Sequence, residues 1–354
     1  MTKNQKPGHA FNKFAMGNLR VEKSINNSGK LANKASIPLL KERDYYVKDY
    51  TLDGDAPKQF IKAYFYEKNS TTRKCSRRSW PGFIAKTAEK WYPHESVTEF
   101  MMNRVGEELG LHMNEIRLVR ANGQIRFLSR YFLKEDEKLI HGAEICGEHL
   151  GDMIMAREIA IDKTSARDLF TFEFIRDAIR SVYPNCFEEL LKELVKMIVF
   201  DGLTGNNDRH FYNWGVIDTK KKTTKLPTFA PLYDSARGML WNMSDLNIKD
   251  NLNSYLKYIQ LENPKFGNKV VNYIEEASPR ISIESNNKAN HFELIDFIRR
   301  FNADYDEIVR DLTSEKNEYK VLNMLRGEFY PMFTTERQEL LSIIVRKRFQ
   351  KIRN

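Results

Sequence analysis

Asp208 and Asn213 lie in Asn207-Asp208-Arg209-His210-Phe211-Tyr212-Asn213-Trp214-Gly215, and Asp234 closes Ala230-Pro231-Leu232-Tyr233-Asp234. Asp-x-x-x-x-Asn is the spacing at which a phosphoryl-transfer loop sets a hydroxyl-orienting base ahead of a magnesium ligand. A second oxygen ligand must then come from a neighbouring strand, and Asp234 is placed to supply it. Trp214 to Ile217 reads as a strand, Asp218 to Lys225 as a polar turn, and Thr228 to Tyr233 as the returning strand. In an antiparallel hairpin the start of one strand lies beside the end of the other. Asn213 and Asp234 therefore meet at one end of the hairpin. Magnesium takes one or two protein oxygens and fills its shell with water and phosphate, while Asp208 accepts the proton of an attacking hydroxyl. The competing reading is turn chemistry, since Asn and Asp side chains bond their own backbone. The hairpin and the second Asp favour the site.

A nucleotide site also needs a lysine for the phosphates and an acid to hold it. Lys86 fits, projecting from the strand pattern Phe83-Ile84-Ala85-Lys86-Thr87-Ala88. The helix expected over Ser96 to Gly110 carries Val97, Phe100, Met101, Val105 and Leu109 as an apolar stripe, with Glu99 beside it. Glu99 is the expected partner of Lys86. Ser96-x-x-Glu99 also reads as a capping box, Glu95 faces a similar direction if the helix starts near Pro93, and Lys62 is the fallback lysine. Ser28-Gly29-Lys30-Leu31-Ala32-Asn33-Lys34 has one glycine that would let backbone amides approach phosphate. It is not a Walker A sequence, and a plain loop is the favoured reading.

The elements that position these residues divide the chain into a polar N-terminal arm (1–24), a β-rich lobe (25–133) and a mostly helical lobe (134–354). Strand candidates are Ala35 to Leu40, Gln59 to Tyr66, Gly82 to Ala88, Ile116 to Val119 and Ile125 to Tyr131. Leu52-Asp53-Gly54-Asp55 and Ala121-Asn122-Gly123 mark turns, and Asn-Gly is a strong hairpin signal. From Leu169 onward, apolar residues recur at three- and four-residue spacing through Phe174, Leu190, Leu194 and Ile198. Further helices fit 290–301, 304–313, 317–326 and 334–351. The expected class is α+β: a bilobal protein-kinase-like fold.

Composition sets the bounds. The 354 residues are 41% apolar and 30% charged, ordinary for a water-soluble globular chain with a large core. The start of the chain lacks the apolar stretch of a signal peptide, and no segment approaches the ~20 apolar residues of a membrane span. Cys75, Cys146 and Cys186 are scattered and odd in number, which argues against a disulfide framework. A cytoplasmic protein is expected, with secretion as an effector left open. The net charge of +9 favours acidic partners. Arg73, Lys74, Arg77 and Arg78 form a loop cluster that offers phosphate or substrate contact. Arg346, Lys347, Arg348, Lys351 and Arg353 continue a helix pattern and read as a solvated, dipole-complementing helix end rather than a nucleic-acid surface. His141, Cys146 and His149 match no standard zinc spacing. His210 is expected to bond the loop backbone.

Asn207-Asp208-Arg209-His210 with Asn213-Trp214-Gly215 and Ala230-Pro231-Leu232-Tyr233-Asp234 resembles the HipA-like serine/threonine kinases, especially the cell-translocating kinase CtkA branch. Glu99 stands eleven residues before Gly110 of Glu108-Leu109-Gly110-Leu111, as the family's helix glutamate does. Arg130-Tyr131-Phe132 resembles the strand leading to its nucleotide hinge, and Ser28-Gly29 with Lys34 resembles its phosphate loop with one residue more. Ser278-Pro279-Arg280-Ile281 falls where a related segment occurs. The resemblance implies ATP and Mg2+ as cofactors, with Asp208 as base, Asn213 and Asp234 as metal ligands, and Lys86 with Glu99 positioning phosphate. It implies nucleotide contacts from Ser28, Gly29, Lys34, Tyr131 and Phe132. It also implies autophosphorylation of Ser28, with Ser70, Thr71, Thr72, Ser76 and Ser79 of the insertion Tyr45 to Pro81 as rivals.

The function expected is therefore an ATP- and magnesium-dependent serine/threonine protein kinase, a toxin of a toxin–antitoxin pair or a translocated effector. Its partners would be a protein bearing Ser or Thr and a small helix-turn-helix antitoxin, with DNA contacted only indirectly and no membrane. A kinase of a non-protein substrate is second, because Asp-Arg-His-x-x-Asn also occurs in phosphoinositide kinases; Leu-Tyr-Asp-Ser around Asp234 departs from their Asp-Phe-Gly. A non-catalytic binding module is third.

Overall fold

Alternation of apolar and polar residues builds an antiparallel five-stranded sheet in the order β1-β2-β3-β5-β4. Its strands are β1 (Tyr45–Lys48), β2 (Lys58–Ala63), β3 (Gly82–Lys86), β4 (Ile116–Ala121) and β5 (Gln124–Arg130). In this computed structural model the described residues are 18–48, 58–66, 76–221, 224–263 and 265–354. The β4–β5 turn is the Asn-Gly hairpin read from sequence: Asn122 and Gly123 have φ of 45° and 74°, and Ala121 pairs with Gln124. A two-residue turn with both central residues at positive φ matches the twist of the flanking strands. One face of the sheet buries Tyr45, Ile61, Phe83, Ala85, Val119 and Leu128 in a core of its own. The other receives α1 (His94–Glu108) through Val97, Met101, Leu118 and Ile125, which belong to the main core.

That core continues into the helical lobe. Helix α2 (Gly142–Leu150), α3 (Met153–Ile161), α4 (Lys163–Leu169) and α5 (Phe172–Val182) lead to α6 (Phe187–Thr204). Helix α6 is central, with Leu190, Leu191, Leu194, Val195, Ile198 and Val199 all buried. A second, three-stranded sheet joins β6 (Glu137–His141), which precedes α2, to β7 (Gly215–Thr219) and β8 (Thr228–Phe229), which follow α6. The chain closes with α7 (Asp245–Leu261), α8 (Asn268–Glu275), α9 (His291–Phe301), α10 (Ala303–Leu312), α11 (Glu315–Met324) and α12 (Thr335–Arg353). No helix among the described residues is long and apolar enough to cross a membrane.

Several expectations change. Ala35 to Leu40 is not a strand; only Leu39 makes an isolated bridge, to Arg120, because Ile37 turns into the core instead of alternating along a sheet. The returning strand from Thr228 stops at Phe229, since Pro231 has no amide hydrogen for a ladder. Helix α1 begins after Pro93, so Ser96 is an interior residue and accepts from the Ala88 amide, 3.3 Å away, in place of the capping box. Parts of the supposed insertion Tyr45 to Pro81 form β1 and β2 of the sheet itself. Leu52 to Asp55, Ser70, Thr71, Thr72, Arg73, Lys74, Cys75 and residues 1–17 of the arm lie outside the described residues.

The C-terminal basic set also differs from a solvated helix end. Arg348 is fully buried, donates to the carbonyls of Gly202, Tyr273 and Ile274, and lies 4.9 Å from the Phe292 ring centroid. Lys351 pairs with Glu275 and Arg353 with Glu318. Arg346, Lys347 and Lys351 keep the exposed position expected of the set.

The β6–β7 ladder has no room for a side chain at Gly215, where a Cβ would strike the Ile140 carbonyl oxygen of the paired strand. Gly215→Ala should therefore lose ~1–3 kcal/mol of stability, the usual cost of forcing volume into a filled site. Urea unfolding checks this, and an unchanged midpoint would show that the strands separate freely.

Candidate active site

Lys86 ends β3, opposite Phe127 of β5 and Lys58 of β2, with its side chain turned beneath the sheet towards α1. Its Nζ lies 3.3 Å from Glu99 Oε1 and 2.6 Å from Asp234 Oδ1. The other candidates go elsewhere: Lys62 donates to the Arg78 carbonyl, and Glu95 makes no ion pair with Lys86. Burial alone would lower the Lys86 pKa, but the Asp234 and Glu99 carboxylates raise it above its ordinary value, so the ammonium stays charged. Burial pushes Glu99 up to about 7 against the pull of Lys86. Burial acts upward on Asp234 too, yet Lys86 beside it holds the carboxyl below its usual range.

The catalytic-loop candidates follow α6 directly. Gly205, at φ 64°, ends that helix. Asn206 then turns back to bond Asp201 and accepts from the Asp208 amide. The Asn213 amide donates to His210 at 2.8 Å, and its Nδ2 donates to the Asp208 carbonyl at 3.3 Å. Its Oδ1 accepts no hydrogen bond among the described residues. His210 accepts from the Tyr212 amide through Nδ1, matching the expectation of a loop-bonding residue, and burial lowers its pKa.

Asp234 arrives on a segment held from both lobes. Leu232 exchanges backbone bonds with His112 and Asn114, in the connection between α1 and β4. Asp234 itself has φ of 54°, a region that non-glycine residues seldom occupy and that recurs at functional sites. Asp234 and Glu99 line a common small cavity with Asn103, Asn114, Phe127 and Ser235.

Arg209 joins the loop to the segment that carries Asp234. Its Nη1 donates to the carbonyls of Asn213, at 3.2 Å, and Tyr233, at 2.7 Å. Nη2 donates to Ser235 Oγ at 2.8 Å, and Nε and Nη2 grip both oxygens of Asp201. One nitrogen thus bridges the carbonyls of Asn213 and Tyr233, which sets the segments carrying Asn213 and Asp234 side by side. Asp208 faces two cations: Arg280 Nη2 at 2.8 Å and Arg237 Nε at 3.1 Å. Sequence reasoning missed Asp201, Ser235, Arg237 and the contact of Arg280. Asp201 carried a signal, since an acid inside the apolar run Met197 to Leu203 needs a buried partner.

The nucleotide-side expectations divide. The Tyr131 amide donates to the Gly82 carbonyl at 2.9 Å, and the Phe132 ring lies 5.8 Å from that of Tyr233, next to Asp234 in the chain, so the pair runs from the sheet to the junction of the lobes. The segment from Ser28 to Lys34 does not lead into a strand. Ser28 is fully buried, with Oγ 2.9 Å from His94 Nδ1, and its carbonyl accepts from the Asp245 amide at the start of α7. Gly29 has φ of 105°, and a Cβ there would strike the Asp245 carboxylate. Ala32 donates to the Met332 carbonyl, and Lys34 is exposed. The segment is docked between the start of α1 and the helical lobe. Among the described residues no group of three His, Cys, Asp or Glu side chains forms a metal site, and His141, Cys146 and His149 do not assemble one.

A small antiparallel sheet with one glutamate-bearing helix, set on a larger helical lobe, defines a bilobal kinase-like fold. The model of the HipA-like C-terminal domain matches residues 51–291, and the chain belongs to that family. Among solved structures it is similar to the Helicobacter pylori proinflammatory kinase CtkA, with a TM-score of 0.62, 15% identity and coverage of 89% of this chain and 95% of that one. It also matches HipA of Shewanella oneidensis MR-1, solved with HipB and operator DNA, with a TM-score of 0.42, 12% identity and coverage of 76% and 57%. No curated protein sequence matches it.

Two predictions follow from these contacts. Arg209→Leu leaves Asp201 buried and unpaired, which should cost ~3–5 kcal/mol of stability; a loss below about 1 kcal/mol in urea unfolding would show that the pair does not hold the loop. The second concerns Glu99, whose folded pKa of about 7 exceeds the ordinary 4.5. Its protonated form is favoured by folding, so that contribution is fully present below 4.5 and is lost as pH rises to about 7. The Lys86–Glu99 ion pair, conversely, is complete only above that pH. Affinity for magnesium–ATP, read by calorimetry, should weaken as pH falls through 7, and Glu99→Gln should remove this dependence. An identical pH profile in the variant would sink the assignment.

Proposed function

We propose that this chain is an ATP- and magnesium-dependent protein kinase that phosphorylates serine or threonine hydroxyls. The observation that carries the reading is Lys86, held between Glu99 and Asp234 in one cluster, with Arg209 tying that cluster to the loop of Asp208 and Asn213. A charged lysine at the end of β3 suits the phosphates of a nucleotide, and the glutamate fixes its direction. Asn213 and Asp234 offer two hard oxygens, the number magnesium usually accepts from protein when phosphate and water complete its shell. Bound there, the ion would neutralise charge on the phosphates. Asp208 orients the acceptor O–H and takes its proton. The acceptor oxygen forms the new bond to the γ-phosphorus, and the bond from that phosphorus to the bridging oxygen breaks, leaving ADP. Tyr131 and Phe132, at the junction of the lobes, would flank the nucleotide's adenine.

Autophosphorylation is part of this proposal, with a constraint on its site. The Ser28 hydroxyl is sealed in the protein and bonded to His94, so it is an acceptor only after the segment leaves α7. Ser76 and Ser79 are exposed as they stand. A small helix-turn-helix partner remains a proposal resting on the sequence resemblance, and co-purification with the product of a neighbouring reading frame tests it.

The decisive assay is transfer of labelled phosphate from ATP with magnesium, on the protein alone and with protein acceptors. Asp208→Ala should lower kcat by about 100-fold or more, the scale of general-base loss, while the nucleotide still binds. Asp234→Ala should lose magnesium-dependent ATP affinity with the fold retained. Transfer only to phospholipid would favour the non-protein substrate, and absence of nucleotide binding would leave a non-catalytic module.

A further inference from the structure

Arg280 makes the shortest ion pair to Asp208, yet the reading above gives it no task. We propose that Arg280 is a positioning residue for the base: it occupies one carboxylate oxygen of Asp208 and so assigns the other to the acceptor hydroxyl. The inference rests on the kinase reading of this site.

The two arginines at Asp208 are not equivalent. Arg280 Nη2 meets Oδ1 and is 16% exposed, whereas Arg237 Nε meets Oδ2 and is 51% exposed. An approaching hydroxyl needs one of these oxygens. The exposed pair is screened by water and contributes little, so Arg237 is the cation that yields. Arg280, mostly enclosed, keeps its hold. Oδ2 is thus the proton acceptor, and Oδ1 is the fixed end of the lever.

Arg280 is also delivered rigidly. Arg167 of α4 donates to the carbonyls of Pro279, Asn287 and Ala289, pinning both ends of the segment that carries Arg280. Ser282 returns a hydrogen bond to the Arg167 carbonyl and accepts from the Phe172 amide at 2.9 Å. Ile281 and Ile283 are buried in the main core. The guanidinium, by contrast, has one hydrogen bond among the described residues, and it goes to Asp208; its Nε is buried without a partner. A side chain serving only the stability of its own segment would be expected to bond that segment. This one is aimed at the base.

The test uses the full chain with magnesium–ATP and an acceptor that the wild type phosphorylates. Arg280→Ala should lower kcat about 100-fold, the scale of a misplaced reacting group, with KM for ATP and the melting temperature nearly unchanged. Arg280→Lys, which restores a cation, should recover to within about tenfold of wild type, and added guanidinium ion should partly rescue Arg280→Ala but not Asp208→Ala. A kcat for Arg280→Ala within about threefold of wild type overturns the proposal, as does a loss confined to KM for ATP. If Arg280→Ala does not fold, Arg280→Gln takes its place under the same criteria. A wild type that transfers no phosphate defeats the kinase reading itself and this proposal with it, whereas an active wild type with a fully active variant defeats this proposal alone.

Discussion

Taking a guanidinium out of water costs several kcal/mol unless its donors find acceptors, and Arg209 meets that demand with groups from three parts of the chain. Asp201 belongs to the last turn of α6, the Asn213 carbonyl to the loop, and the Tyr233 carbonyl with Ser235 Oγ to the segment of Asp234. Each is worth little alone. Together they make the relative placement of the Asp208 loop and the Asp234 segment a consequence of satisfying one buried charge. The side chains of Arg209 and Asp201 are 2% and 4% exposed, so neither salt nor water relaxes the arrangement.

The other half of the site depends on where α1 stands. Glu99 reaches Lys86 only if that helix is pressed against the sheet, and contacts with the helical lobe hold it there. Arg104 pairs with Glu328, and Phe100 meets the Phe329 ring at 5.7 Å, both on the turn after α11. At its N-terminus His94 stacks on Phe333 and bonds Ser28, while Asp245 of α7 pairs with Arg337 of α12. Burial holds the His94 pKa down to about 3, so the ring is neutral and the contact with Ser28 is insensitive to ordinary acidity. The sheet-facing glutamate is thereby positioned from below as much as from above.

The parts legible in sequence were those governed by short-range rules. Asp-x-x-x-x-Asn, the Asn122-Gly123 hairpin, the β3 strand with Lys86 and the apolar periodicity of α6 depend on near neighbours. What escaped was decided by partners far along the chain. Arg280 lies 72 residues from Asp208, and nothing in its local pattern announces that contact. Arg348 is different: it continues the stripe of Leu341, Ile344 and Val345, so its burial was readable from helical spacing. Its charge suggested solvent, and the cluster of basic neighbours outweighed the periodicity. The start of α1 depends on context in a similar way. Ser96 and Glu99 have capping-box spacing, but Pro93 starts the helix one turn earlier, which frees Glu99 for Lys86 and Ser96 for the Ala88 amide.

The Ser28 to Ile37 segment shows why composition alone misleads in a glycine-bearing loop. Its polar residues suggest a mobile cover, but Leu31 and Ile37 are 6% and 2% exposed and belong to the main core. Burying two such side chains stabilises the docked position by ~3–6 kcal/mol before any hydrogen bond is counted. The Ala32–Met332 bond and the two contacts of Ser28 add to that. A ligand that drew this segment over its phosphates would have to supply a comparable difference in affinity between the docked and undocked states. The contacts thus tie the segment both to α1 through His94 and to α7 through Asp245, and its glycine lets the Asp245 carboxylate approach the backbone.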